Sequence, residues 1–529
     1  MNVDKDLSSI QEARDLAKKA KEAQLEFKEF NQKQVDKIVK AMADAGFAAA
    51  EKLGKMAHEE TGFGIWQDKK TKNEFATRDV WESIKDLQTV GIIDVQKNGK
   101  IVKIVEPMGV VAALIPSTNP TSTVMYKAII ALKGRNGIVA SPHPNAVKCT
   151  TEAVNIIRDA AEKAGAPEGL IQCMSTPTLP GTNALMKDDN IAIILATGSN
   201  AMVKAAYSTG NPALGVGSGN VPAFIERTAD VAKAAADIVY GTSFDNGTLC
   251  SSEQAMIVDR PVKERVIEEA KKNGAYFVSE SEKEKLEKVI EKNGRINPGV
   301  VGKPATYIAN LAGFEVPADT KALIAFCEEV GPQEPLSREK LSPVLAFYTV
   351  DGWLEGCHKS IEVLRYGGVG HTLAIHSNDK DIIMKFAMEK PAFRIVVNTP
   401  SSLGAVGSTT ALMPSLTLGV GTWAGSSISE NVSAKHLVNI KTLAFETNPV
   451  HSGHSISSFE NSGGFTKTET KGFTSTIEDR LLARAGNPVV NPFMNSKPSS
   501  AAPSHGETKL GENISESEVQ KIIREFLDK

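Results

Sequence analysis

Cys250 stands in the stretch FDNGTLCSSEQA, residues 244–255, between a turn-forming Asp-Asn-Gly run and two serines. A thiolate forms covalent intermediates and leaves an activated group for a second acceptor, whereas a cysteine shut into apolar surroundings is inert packing. These residues alone leave both readings open. The other four cysteines, Cys149, Cys173, Cys327 and Cys357, are scattered and form no C-x-x-C pair. They read as buried packing residues and predict neither a disulfide framework nor a metal site. An odd, dispersed set of thiols fits a reducing compartment.

The elements around Cys250 must come from a chain of 529 residues, 41% hydrophobic and 23% charged, which supports a large core and two or three domains. A formal net charge of −3 gives no general electrostatic reason to bind nucleic acid or an anionic membrane. The opening MNVDKDLSSIQEARDLAKKAKEAQ is charged and helix-forming, so no secretory signal is expected, and no apolar run approaches bilayer length. A cytoplasmic protein is expected.

Ile10 to Glu51 alternates charged and apolar residues at helical spacing. From KIVKIVEPMGVVAALIPSTNP onward, short Val/Ile runs are broken by Gly and Pro. Buried-type strands (GVVAALIP, GIVAS, IAIILATG) then alternate with helical patterns such as Thr151 to Ala164 and Met202 to Tyr207. This is the pattern of a parallel sheet with crossover helices, and the first half reads as a dinucleotide-binding α/β domain. A second α/β set follows, with Cys250 near its front: helix TADVAKAAADIVYGTSF, strand QAMIVD, helix VKERVIEEAKKNG, then SPVLAFYTV and HTLAIHS.

After Glu446 the composition shifts to Ser, Gly, Thr and Pro, which predicts a linker interrupted by a short helix at TIEDRLLARAG. The last stretch, NISESEVQKIIREFLDK, predicts a capped helix. Ser515 and Glu518 form a capping box, and Val519, Ile522, Ile523, Phe526 and Leu527 make one apolar stripe. About 13 helical residues are marginal in water, so the stripe calls for a docking partner; a long polar tether favours a partner other than its own domain.

The segments EPMGVVAALIPSTNPTSTVMYKAIIALKGRNGIVASPHP, FDNGTLCSSEQA, RYGGVGHTLAIHS, RIVVNTPSSLGAVG and ENVSAKHLVNIKT resemble, in order along the chain, the CoA-acylating branch of the aldehyde dehydrogenase superfamily. The resemblance runs from about Ile10 to about Glu446. It implies an α/β aldehyde dehydrogenase fold: a Rossmann-like cofactor-binding domain over residues 1–236 with an oligomerisation hairpin at about 90–106, then a catalytic α/β domain at 237–428. An oligomerisation strand and return at 429–450, a linker at 451–510 and a terminal helix at 511–529 complete it. The tail resembles the encapsulation peptides that direct such enzymes into bacterial microcompartments.

By this resemblance Cys250 matches the family nucleophile and Asn119, in PSTNPTS, the amide that donates to the aldehyde oxygen as charge develops there; without it, Asn before Pro is a turn. Ile115, Pro116, Ser117, Thr197, Gly198, Ser199 and Gly217 match positions along the cofactor. Glu334, in GPQEPLSREKLSPVL, resembles the glutamate that holds the nicotinamide ribose. Where hydrolytic relatives carry Lys-Pro-Ser, this chain has Ser141, Pro142 and His143, and the missing lysine weakens any simple rule for NAD against NADP.

Hydrolytic relatives also place a general-base glutamate in the region corresponding to Gly215–Asn220, where this chain has no acid. A thioester without a base for water awaits a better nucleophile, and a free thiol is one. His371 is a substitute base; a core or surface histidine reads equally well. The expectation is oxidation of a short-chain aldehyde, propionaldehyde ahead of acetaldehyde, with NAD and coenzyme A to acyl-CoA. Ping-pong kinetics, a homodimer or homotetramer, and shell or cargo proteins of a microcompartment as partners of the terminal helix follow from the same resemblance. Hydrolysis to the carboxylic acid and a purely scaffolding role are the alternatives, and an alcohol-forming fusion is not expected.

Overall fold

The computed structural model describes residues 4–448 and 450. The expected linker (451–510), the short helix within it and the terminal helix (511–529) lie outside the described residues.

The amino-terminal helical pattern divides into three helices, Lys5–Phe27, Gln32–Ala48 and Ala50–Thr61. The first starts at Asp4, whose carboxylate accepts the N–H groups of Asp6 and Leu7 at 2.8 and 3.1 Å. The second starts at a reciprocal capping box between Asn31 and Gln34. Ala13, Ala17 and Ala20 recur along one buried face of the first helix, and their small side chains pack against Val110, Ala112 and Leu114 of the first sheet. Among the described residues no helix is long and apolar enough to cross a membrane, and no group of three His, Cys, Asp or Glu side chains could hold a metal.

Two wholly parallel sheets carry the chain. The first has five strands in the order Ile171–Cys173, Gly137–Pro142, Val110–Ile115, Ile191–Thr197, Ala213–Val216. Strand order reverses between Val110–Ile115 and Ile191–Thr197, so their carboxyl ends frame the crevice where open α/β sheets receive ligands. The second has seven, in the order Ala275–Phe277, Ala322–Phe326, Val344–Val350, Glu253–Asp259, Val221–Ile225, Gly370–His376, Ala392–Val397. Strands buried on both faces, such as Val110–Ile115, explain why such segments read as continuous apolar runs.

Sheet membership moves the expected boundary at residue 236. Val221–Ile225 pairs with Glu253–Asp259 and Gly370–His376, so the passage between sheets falls at 217–220. The late segment also returns to the first domain: Val406, Leu416, Leu418, Val420 and Val432 join the core built on Val111, Ala113 and Tyr126. Strands Gly91–Gln96 and Ile101–Pro107 form an antiparallel hairpin, and Val438–Ala444 pairs antiparallel with the latter. The last strand leaves Ile440 and Leu443 exposed.

Candidate active site

A cavity of about 550 Å³ opens at the strand-order reversal of the first sheet. One wall is the carboxyl edge of that sheet, with Ile115, Pro116 and Ser117 at the end of one strand, Ser141, Pro142 and His143 at the end of the next, and Thr197, Gly198 and Ser199 turning into the helix Asn200–Tyr207. Ser199 caps this helix by accepting the Met202 N–H at 3.3 Å. Lys127, fully buried, donates to the Leu114 and Leu195 carbonyls at 2.7 and 2.9 Å and ties together the two strands that frame the crevice. Leu179, Met202, Leu416 and Leu418 make the remaining surface largely apolar, as a flat aromatic ligand requires.

The second sheet supplies the opposite wall from its amino edge. Asp245, Asn246 and Gly247 all take positive φ, at 48°, 52° and 73°. Asp and Asn tolerate this conformation better than other non-glycine residues. The turn delivers Thr248, Leu249, Cys250 and Ser251 to the cavity just before strand Glu253–Asp259. Burial pushes the Cys250 thiol up to about 12, reinforced by Glu339 and opposed by the Arg394 guanidinium and the N–H groups of Cys250 and Ser251. A resting thiol with nearby groups that favour its ionised form is the result.

Asn119 immediately precedes the helix Pro120–Lys133, makes no side-chain cap to it, and lines the same cavity. Its amide donates to Thr118 Oγ1 at 3.1 Å and to the Thr248 carbonyl at 3.2 Å. Gly217 lies on the wall, and Asn200 Oδ1 behind it accepts the Ser218 N–H at 2.9 Å.

Two expected site residues are not on this wall. Glu334 is buried in an ion pair with Lys283 at 2.7 Å. Glu339, five residues on, is the one carboxylate among the described residues that lines the cavity, where it accepts the Gly219 N–H at 2.9 Å; burial raises it to about 7. The segment carries two Glu-centred patterns, and only the chain path decides which faces inward. His371 is fully buried behind Gly219, with Nδ1 3.0 Å from Thr372 Oγ1. Burial, with help from Arg394, lowers it to about 3. It stands behind the wall rather than on it, and its Nε2 has no hydrogen-bond partner among the described residues.

Lys69 and Lys72 escaped the sequence reading. Both lie on the helix Trp66–Glu74 and are nearly fully buried with Asp245. Only their spacing of three residues beside Asp68 hinted at one shared face.

A model of the aldehyde dehydrogenase family matches residues 5–286. The chain belongs to that family. Among solved structures, an acetylating aldehyde dehydrogenase from Geobacillus thermoglucosidasius is 50% identical with a TM-score of 0.84, covering 85% of this chain and 100% of that one. A Rhodopseudomonas palustris propionaldehyde dehydrogenase with bound propionyl-CoA is 29% identical with a TM-score of 0.74, covering 82% and 94%. Aldehyde-alcohol dehydrogenase 2 of Entamoeba histolytica is 47% identical over 430 residues, 79% of this chain and 49% of that protein. The chain thus spans about half the length of the aldehyde-alcohol dehydrogenases that it matches. The α/β aldehyde dehydrogenase architecture expected from sequence is the one observed.

Proposed function

We propose that this family member is a CoA-acylating aldehyde dehydrogenase, converting a short-chain aldehyde, NAD and coenzyme A to acyl-CoA and NADH. One observation carries the reading: Cys250 and the cofactor-type turns line a single cavity, while the stretch 215–220 brings to it Val216, Gly217 and Ser218 and no carboxylate. In that arrangement Cys250 adds to the aldehyde carbon, and the Asn119 amide donates to the oxygen that becomes negative. Bound along Ile115–Ser117, Thr197–Ser199 and Glu339, a nicotinamide cofactor supplies the hydride acceptor. The Cys250 thioester, with no carboxylate on the 215–220 stretch to activate water, is released by the thiol of CoA.

An acetylating relative at 50% and a propionaldehyde enzyme at 29% support acetaldehyde as the first aldehyde to test and propionaldehyde as the second. Exposed Ile440 and Leu443 on a sheet edge support a homo-oligomer assembled through the hairpin and late strand, and the tail motif supports encapsulation in a microcompartment lumen.

NADH formation from NAD and each aldehyde, with and without CoA, tests the assignment. Turnover that requires CoA and disappears in Cys250→Ala is expected. Equal turnover without CoA, with free acid as product, would give the hydrolytic reading instead.

A further inference from the structure

The cavity wall is backed by a closed, buried hydrogen-bonded ring. Lys72 Nζ, on a residue that is 4% exposed, contacts Asn119 Oδ1 and Asp245 Oδ2 and lies 3.3 Å from Thr248 Oγ1. Thr248 Oγ1 donates to Asp245 Oδ2 at 2.6 Å, and the Thr248 carbonyl accepts the Asn119 amide at 3.2 Å. Lys69 buttresses the ring by donating to Asp245 Oδ2 and to the Thr118 carbonyl, both at 3.0 Å. Three distant segments meet here: the helix Trp66–Glu74, the Asn119 turn and the loop carrying Cys250.

The chemistry of the donors fixes the orientation of the asparagine. An ammonium has only donors, and an amide has one accepting and one donating end. Lys72 therefore forces Asn119 Oδ1 towards itself; a flipped amide would set NH2 against NH3+. The NH2 end is left to Thr118 and Thr248 through bonds of 3.1 and 3.2 Å, long enough to be exchanged for a charge-assisted bond to an oxyanion. A cation on Oδ1 also polarises the amide and strengthens its N–H donors.

We propose that Lys72 is a positioning residue for the oxyanion donor, holding and polarising the Asn119 amide so that its NH2 faces the reacting carbonyl. This rests on the oxyanion role proposed for Asn119, and the test separates the two. In full-length protein, kcat and KM for aldehyde are measured for Lys72→Met, Lys72→Arg, Asn119→Ala and the double variant Asn119→Ala/Lys72→Met. Melting temperature and the rate of Cys250 alkylation by iodoacetamide are followed alongside.

Lys72→Met is expected to lower kcat about 10- to 100-fold with little change in KM, to leave alkylation within threefold, and to be partly rescued by Lys72→Arg. Added to Asn119→Ala, it is expected to cost less than threefold more. An equal loss in both backgrounds, a Lys72→Met kcat within threefold of the parent, or a fall in alkylation that parallels kcat would each overturn the positioning role. A nearly normal Asn119→Ala enzyme would instead remove the oxyanion reading beneath it.

Discussion

Gly219→Ala probes how tightly the nucleophile is seated. A Cβ at this position would lie 2.2 Å from the Cys250 carbonyl oxygen and 3.1 Å from Cγ and Nδ1 of His371. The nearer neighbour is backbone and cannot rotate away, and His371 is fully buried on the other side. Restoring an ordinary carbon–oxygen separation of about 3.3 Å requires the loop to retreat by about 1 Å. A displacement of that size at a reacting group costs about 100-fold in rate, or roughly 2.7 kcal/mol of barrier. Steady-state NADH formation with saturating NAD, aldehyde and CoA is the assay, with the melting curve as a check on folding. Gly198→Ala is the internal control: a Cβ there meets no atom within 4 Å, so kcat should hold while KM for NAD rises, because the new methyl faces the cofactor groove. A Gly219→Ala enzyme that kept kcat within threefold would refute the reasoning, since the Cys250 backbone would then move without consequence.

In the ligand-free protein, the iodoacetamide rate at Cys250 should climb about tenfold per pH unit from 7 to 9, because a thiol raised to about 12 is still almost wholly protonated there; a plateau below pH 8 would contradict it. Glu339→Gln should raise KM for NAD, whereas Glu334→Gln should leave it unchanged and lower the melting temperature by freeing Lys283; the reverse pattern would return the cofactor role to Glu334. Ile440→Asp with Leu443→Asp should shift sedimentation to a smaller species if the late strand is the assembly edge, and an unchanged profile would place the interface elsewhere.

Much of the fold was legible because parallel strands buried on both faces are written largely in Val, Ile, Leu and Ala, as in GVVAALIP. Ser117, Ser141 and Ser199 follow or end such strands, but their expected place along a cofactor came from the family resemblance and not from the strand pattern. Glu334 and Glu339 were not separable, because both sit in one irregular segment where no periodicity says which side chain turns inward. Sheet pairing of Val221–Ile225 was hidden too, since a parallel strand's neighbours are chosen over long stretches of chain. Lys69 and Lys72 were the deepest omission. Charged residues on a short polar helix read as solvent-facing, and they become a buried pair only because Asp245, more than 170 residues later, meets them.

That meeting bears on how the thiol is kept in reserve. The left-handed turn at Asp245 and Asn246 is unfavourable for side-chain-bearing residues, and the ion pairs with Lys69 and Lys72 help to hold it in place. Burial alone would raise the Asp245 carboxyl, yet the two lysines hold it below the usual carboxylate range, so the anchor stays ionised at neutral pH. Cys250, a few residues on, has no such partner. It rests between the disfavouring carboxylate of Glu339 and the favouring guanidinium of Arg394. A positive charge brought into the cavity favours the thiolate, and Glu339 opposes it for as long as its carboxylate is ionised.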